Sequence, residues 1–355
     1  MDTYQHGSQQ VNTSVPYQVN NFLYEEGRLS SWEMSQLWLI YEANSSLKCI
    51  VQYFAATARD IDIKAVLNEA LNAIPPRLSN MTELFDSVGF PIPYGFGDED
   101  VVPTAKRLYS DSLMLAYIRT LNKFGLIKLA HALPFASRPD VRECFNSALV
   151  EAQNLVNKTE DLLSKKGIAN KPPYTPVPDR VTYVTDQNYN GGLLGGKRPI
   201  NVLECSYIFE RLETKLSERA ILLGFAQVVK DEKIKAYFVK GIKVFDKLID
   251  RWSSILKDED LPTPMLWISE VTNSTQSPFS DRLMLFHLMY CITYSITANG
   301  FALGNNNRTD VLLGFSESVL DLGIYGKKGL SIMVEKGWTE EIPLVADREK
   351  IIGLQ

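Results

Sequence analysis

The stretch Ser137–Phe145, SRPDVRECF, is answered far along the chain by Asn307–Phe315, NRTDVLLGF. Each contains Arg, one intervening residue, Asp and Val, and then Phe four places after the Val. Arg138 and Arg308 stand 170 positions apart in a chain of 355 residues, close to half its length. Four further pairs keep the same order. ARDIDIKAVL from Ala58 matches VKDEKIKAYF from Val229, and Pro91 and Pro93 match Pro262 and Pro264. SDSLML from Ser110 matches SDRLML from Ser280, and KKGI from Lys165 matches EKGW from Glu335. Five ordered anchors with one residue of drift identify an internal duplication.

The reading places unit one at residues 30–167 and unit two at 199–343, with tails at 1–29 and 344–355. Between the units, residues 168–198 carry Pro172, Pro173, Pro176 and Pro178 and then paired glycines, the composition of a linker.

Within unit one, apolar residues recur at helical spacing. Leu37, Ile40, Tyr41, Leu47, Ile50, Val51 and Phe54 form one stripe, which Ser31 is placed to cap. Ile63, Val66, Leu67, Ala70, Leu71 and Ile74 form a second, where Pro75 and Pro76 predict a kink or break. After a proline-rich connection, a third helix is expected from near Ala105 to about Ala132. The fourth starts at the echo, with Ser137 and Asn307 as N-caps and Asp140 and Asp310 completing a capping box. Arg138 and Arg308 have no part in such a cap and are expected to bridge to a neighbouring helix. The fold class is therefore all-α: a tandem duplication of a ferritin-like four-helix bundle with the long crossover between helices two and three.

Composition narrows the function. The net charge of −5 argues against a general nucleic-acid binder. Cys49, Cys144, Cys205 and Cys291 lie far apart, which fits buried free thiols in a reducing compartment and no zinc site. The N-terminus has no apolar core of a signal peptide. Leu283–Asn307 lacks charge and imitates a membrane span, yet its duplicate carries Arg119, Lys123 and Lys128, so a buried helix is expected instead. No phosphate loop, dinucleotide fingerprint or nucleophile elbow is present; the glycine-rich run from Gly191 lacks the required ending. None of His6, His131 and His287 follows a Glu at the spacing of a di-metal carboxylate bundle, so no metal and no cofactor are expected.

Polar residues inside apolar helices remain. Glu33 and Glu204 match across the repeat, as do Glu42 and Glu213, and His287 sits in the charge-free segment. Glu33, Glu204 and His287 are the candidate binding residues, with Glu204 and His287 as candidate metal ligands. They have two readings: a polar site, if Glu204 and His287 converge, or a satisfied core histidine with surface carboxylates. The aromatics near PYGFGDED and PMLWISE line a pocket or seal the crossover over the core.

Several segments carry a resemblance: EMSQLW from Glu33, FPIPYGFGDEDV from Phe90, SRPDV from Ser137, KRPINVLE from Lys197 and LLGFAQVVKD from Leu222. TQSPFSDRLMLFH from Thr275, RTD from Arg308 and SIMVEKGW from Ser331 extend it. Together they resemble the two-repeat members of the domain-of-unknown-function family numbered 3231, from Bacillus-type spore formers. Pro75 and Pro76 depart from the family pattern. The resemblance implies ferritin-like bundles without established activity. The expected function is that of a non-enzymatic structural or interaction protein, cytoplasmic or spore-associated and connected with stress or sporulation. The alternative is a small-molecule or metal binder using Glu204 and His287. A homo-oligomer or protein partner fits the first reading; neither nucleic acid nor membrane is an expected partner.

Overall fold

The computed structural model describes residues 27–191 and 196–353. His6, most of the expected N-terminal tail, the centre of the glycine-rich run and the last two residues lie outside the described residues. Unit one contributes α1 (Ser31–Thr57), α2 (Ile61–Asp86), α3 (Asp111–Ala132) and α4 (Pro139–Lys165). Unit two contributes α5 (Val202–Val228), α6 (Glu232–Asp258), α7 (Asp281–Asn305) and α8 (Thr309–Glu335), and a short α9 (Arg348–Ile351) follows. Among the described residues there is no strand, only two isolated β-bridges.

Each unit is a square of helices. In unit one α1 packs on α2 and α3, and α4 packs on α2 and α3; unit two repeats this with α5 to α8. The ends of the helices give their directions. Ser87, just after α2, meets Arg138 at the start of α4, while Asp111 at the start of α3 binds the backbone before α2. Residues 87–110 therefore travel back along the whole bundle, and α1 and α4 run opposite to α2 and α3. This is the long-crossover topology expected from the sequence. Aromatics of the crossovers pack inward, with Phe90 stacked on Phe85, Phe96 against Phe286 and Trp267 buried, while Lys106, Arg107, Ser110 and residues 269–276 of the two crossovers line, with Arg59, a cavity of about 980 Å³.

The repeated motifs have physical reasons. Val141, Phe145, Val311 and Phe315 are fully buried. Gly167 and Gly337 adopt φ of +69° and +67°, and the next residues, Ile168 and Trp338, donate to the carbonyls of Leu163 and Met333. This is a Schellman ending, in which glycine takes the left-handed conformation cheaply. Lys166 and Lys336 bind Asp60 and Asp231, the N-caps of α2 and α6. Asp111 and Asp281 accept from the backbone N–H groups of Arg59 and Asp60 and of Lys230 and Asp231.

Some local expectations are corrected. Ser30, not Ser31, caps α1, with Glu33 closing the box. Ser137 and Asn307 are not N-caps; Arg138 and Arg308 hold those positions without a side-chain cap bond. The missing acceptor arrives from another helix, as described below. α3 begins at Asp111 because residues 101–110 pair with the other crossover instead of coiling. α2 runs unbroken through Pro75 and Pro76, both exposed. Proline removes the partners of the carbonyls four residues earlier, and on the solvent side water replaces them. Arg308 does reach a neighbour, bridging to Glu259 at the end of α6, whereas Arg138 binds Asp140, Ser87 Oγ and the Gly27 carbonyl.

One hydrophobic core runs through unit two and the adjoining end of unit one, while a second cluster fills the far end of unit one. The halves thus share an interior. All four cysteines are buried, free and helical. No helix among the described residues is long and apolar enough to cross a membrane.

Candidate functional site

The candidate carboxylates sit at helix starts. Glu33 is fully buried. Its Oε2 accepts from Ser30 N at 2.7 Å, and its Oε1 accepts from Ser137 N, Ser137 Oγ and Arg138 N at 2.8, 3.0 and 2.8 Å. One carboxylate therefore caps α1 and α4 together. Glu204 does the same in unit two, accepting from Asn201 N at 3.0 Å and Arg308 N at 2.9 Å, with Arg198 bidentate at 2.7 and 2.8 Å. Burial works to raise both acids. The backbone N–H groups around Glu33, and Arg198 with the N–H groups around Glu204, hold them below the usual carboxylate range.

The junction between units is built about a pseudo-two-fold axis. Val102 N donates to the Pro278 carbonyl, and Thr272 N donates to that of Leu108. Ser110 N donates to the Glu270 carbonyl, and Ser280 N to that of Asp100. A shift of 170 residues exchanges the members of each pair. Such reciprocity defines an isologous interface, here within one chain. Tyr117 and His287 occupy matching positions and meet near this axis, Tyr117 Oη lying 2.7 Å from His287 Nε2 and 3.2 Å from Cys291 Sγ. Gly224 lets the Tyr109 ring lie against α5, where a Cβ would collide with it.

His287 is buried, and burial lowers its pKa to about 4, so the ring is neutral near pH 7. Its Nδ1 has no protein partner. Beside it lies a cavity of about 10 Å³ lined by Tyr117, Glu218, Phe225, His287, Cys291 and neighbouring aliphatics. That is about one water's worth of space. Burial pushes the Cys291 thiol far above its usual range, so it is a poor nucleophile. Adjacent to it, Lys215, Glu218 and Ser295 form a buried ion-pair network. Further along, Arg211 pairs with Glu210 and Tyr294, and Arg119 of α3 pairs with Glu213 of α5 and Glu160 of α4. Burial opposes the Glu210 charge, yet Arg211 and Lys123 hold its pKa at about 2.

Glu204 and His287 do not converge. Glu204 opens α5, whereas the acid beside His287 is Glu218, fourteen residues later on that helix and so about 21 Å along it. Glu33 lies in unit one with α4. Among the described residues no group of three His, Cys, Asp or Glu side chains is placed to hold a metal ion. Three buried charges of α5, Arg211, Lys215 and Glu218, were missed from the sequence. Their signal was present: Arg211, Lys215 and Glu218 fall at the i, i+4, i+7 spacing of the apolar stripe, where matching α1 positions carry Ile40, Asn44 and Leu47.

The outer surfaces differ more sharply. On α4 the solvent face carries Arg142, Glu143, Asn154 and Ser164; the matching positions of α8 are Leu312, Leu313, Ile324 and Val334, all exposed. Glu160 is matched by Leu330, and Val150 by Leu320. The six apolar residues on α8 are between 36% and 64% exposed, and Phe301 on α7 is exposed nearby in sequence.

The architecture is that of a double four-helix-bundle protein with exposed apolar residues along α8. The chain belongs to the family described as "Protein of unknown function (DUF3231)", whose model matches twice, over residues 17–181 and 190–351. Comparison with curated proteins gives no match. A crystal structure described as a "putative spore coat protein" from Bacillus halodurans C-125 aligns with a TM-score of 0.38 and 18% identity, covering 42% of this chain and 98% of that one.

Proposed function

We propose that the protein is a non-enzymatic interaction protein of a spore-forming bacterium, and that it engages a protein partner through the outer face of α8. The carrying observation is that Leu312, Leu313, Ile324, Leu330 and Val334 of α8 stand where α4 carries Arg142, Glu143, Asn154, Glu160 and Ser164, with Leu320 among them where α4 also has an apolar residue, Val150. Single exposed apolar residues are ordinary, but six along one helix, interspersed with Gly323, Lys327 and Ser331, are the pattern of an association surface. The spore-former setting rests on the family resemblance.

The test is the size of the protein in extracts of cells that make it. The wild type is expected to elute above the 40.1 kDa of one chain. Leu320→Asn with Ile324→Asn, which keeps the fold, is expected to elute as a single chain. Elution of the wild type as a single chain would refute this reading.

A further inference from the structure

We infer that the occupant of the α8 face is a second copy of this chain, docked with the two α8 helices antiparallel about a two-fold axis near Leu322. This rests on the interaction reading above and names its partner.

Three observations select a second copy. The first is area. The exposed apolar residues of α8 present on the order of 500 Å² of apolar surface, the upper range for a monomer. With the Ser316, Gly323 and Ser331 positions between them, the face approaches the roughly 800 Å² per partner of a standard interface. The second is charge. Lys327 is exposed within the stripe, and Glu317, ten residues earlier, borders it, paired with Arg251 of its own chain at 2.7 Å and with its side chain still 62% exposed for a further cation. An antiparallel register centred on Leu322 sets Lys327 against Glu317 of the second copy twice, while Leu320 meets Ile324. The face is therefore complementary to itself. The third is closure. α8 is remote from the internal axis, which uses α1, α3, α5 and α7. The corresponding face of α4 is polar apart from Val150. A chain with one apolar end and one polar end associates through identical surfaces and stops at two copies, whereas two apolar ends would polymerise.

The experiment is sedimentation velocity on the purified full chain over a wide concentration range. A dimer of twice the chain mass is expected, dissociating on dilution. Leu320→Asn with Ile324→Asn abolishes it with an unchanged helical circular-dichroism spectrum. Lys327→Glu and Glu317→Lys each weaken dimerisation about tenfold, and the double reversal restores it.

A chain that stays monomeric at every concentration overturns the inference, and so does a species larger than a dimer. If that monomer still forms a larger complex in cell extract, the second copy is wrong while the interaction reading stands. If truncation after Pro343 is needed before dimers form, the chain's own C-terminal segment is the occupant, and the inference fails. A dimer that is broken by the α8 leucine variants but indifferent to both charge reversals overturns the register.

Discussion

The fourth helices of the two bundles began as the same helix and now face water differently. On α4, Arg142, Glu143, Gln153 and Asn154 point outward; on α8 the same places hold Leu312, Leu313, Gly323 and Ile324. Their inner faces have not diverged in this way, since Val141 and Phe145 match Val311 and Phe315 in full burial. A core position is constrained by everything it touches, while a solvent position is free to acquire a task. The contrast therefore separates what holds the molecule together from what it presents.

A second contrast lies at the junction. Arg119 is clamped between Glu213 and Glu160, but its match is Met289, and the matches of the two acids are Glu42 and Leu330. One side of the pseudo-symmetric interface kept a charge network, and the other became apolar and left Glu42 without an equivalent arginine. Burial first, and then Glu340, raise the Glu42 pKa to about 7.

The largest effect is expected from copying unit two into unit one at this place. Arg119→Met leaves Glu213 only the more distant Lys123, at 4.0 Å, and should cost about 3 kcal/mol in chemical denaturation, the lower end for breaking a buried pair. A loss below 1 kcal/mol would show that the network contributes nothing beyond packing.

Acid titration gives the next. The folded His287 has a pKa near 4 against an ordinary 6.5 for histidine, so between these pH values the unfolded chain binds the extra proton. Stability should fall as pH drops through this window, by up to about 3 kcal/mol, and His287→Leu should remove that loss. Glu42 has the opposite sign. Its folded pKa is raised from 4.5 to about 7, so the folded state holds the proton longer and stability falls as pH rises through that interval. Glu42→Gln should flatten this slope, by about 2 kcal/mol at most once solvent screening is counted. Trp38 and then the charge of Arg282 moderate the shift. Equal pH profiles for wild type and both variants would place these groups in ordinary solvent.

The duplication, the helix count and the crossover were legible because the repeated residues do repeated work. Asp60, Asp111, Lys166 and Gly167 each stitch or end a helix, and their matches do the same. Glu33 and Glu204 were visible as matching acids at the starts of α1 and α5, but the distant helix starts they cap were hidden. A cap supplied from a helix about a hundred residues away has no local signature, so Ser137 and Asn307 took its place in the reading. His287 was visible as a polar residue in an apolar run. That it meets Tyr117 is a consequence of the axis, and an axis between repeats cannot be read from either repeat alone. The α8 face was not legible for a different reason: apolar residues at solvent positions merge with the helical stripe of the core and carry no separate signal.

The most direct test of the central claim is hydroxyl-radical footprinting of the native protein in cell extract against the purified chain at high dilution. If the α8 face is the working surface, Leu320 and Ile324 will be oxidised several-fold less in the extract, while Val150, the α4 match of Leu320, changes little. Equal oxidation of all three in both samples would contradict the account.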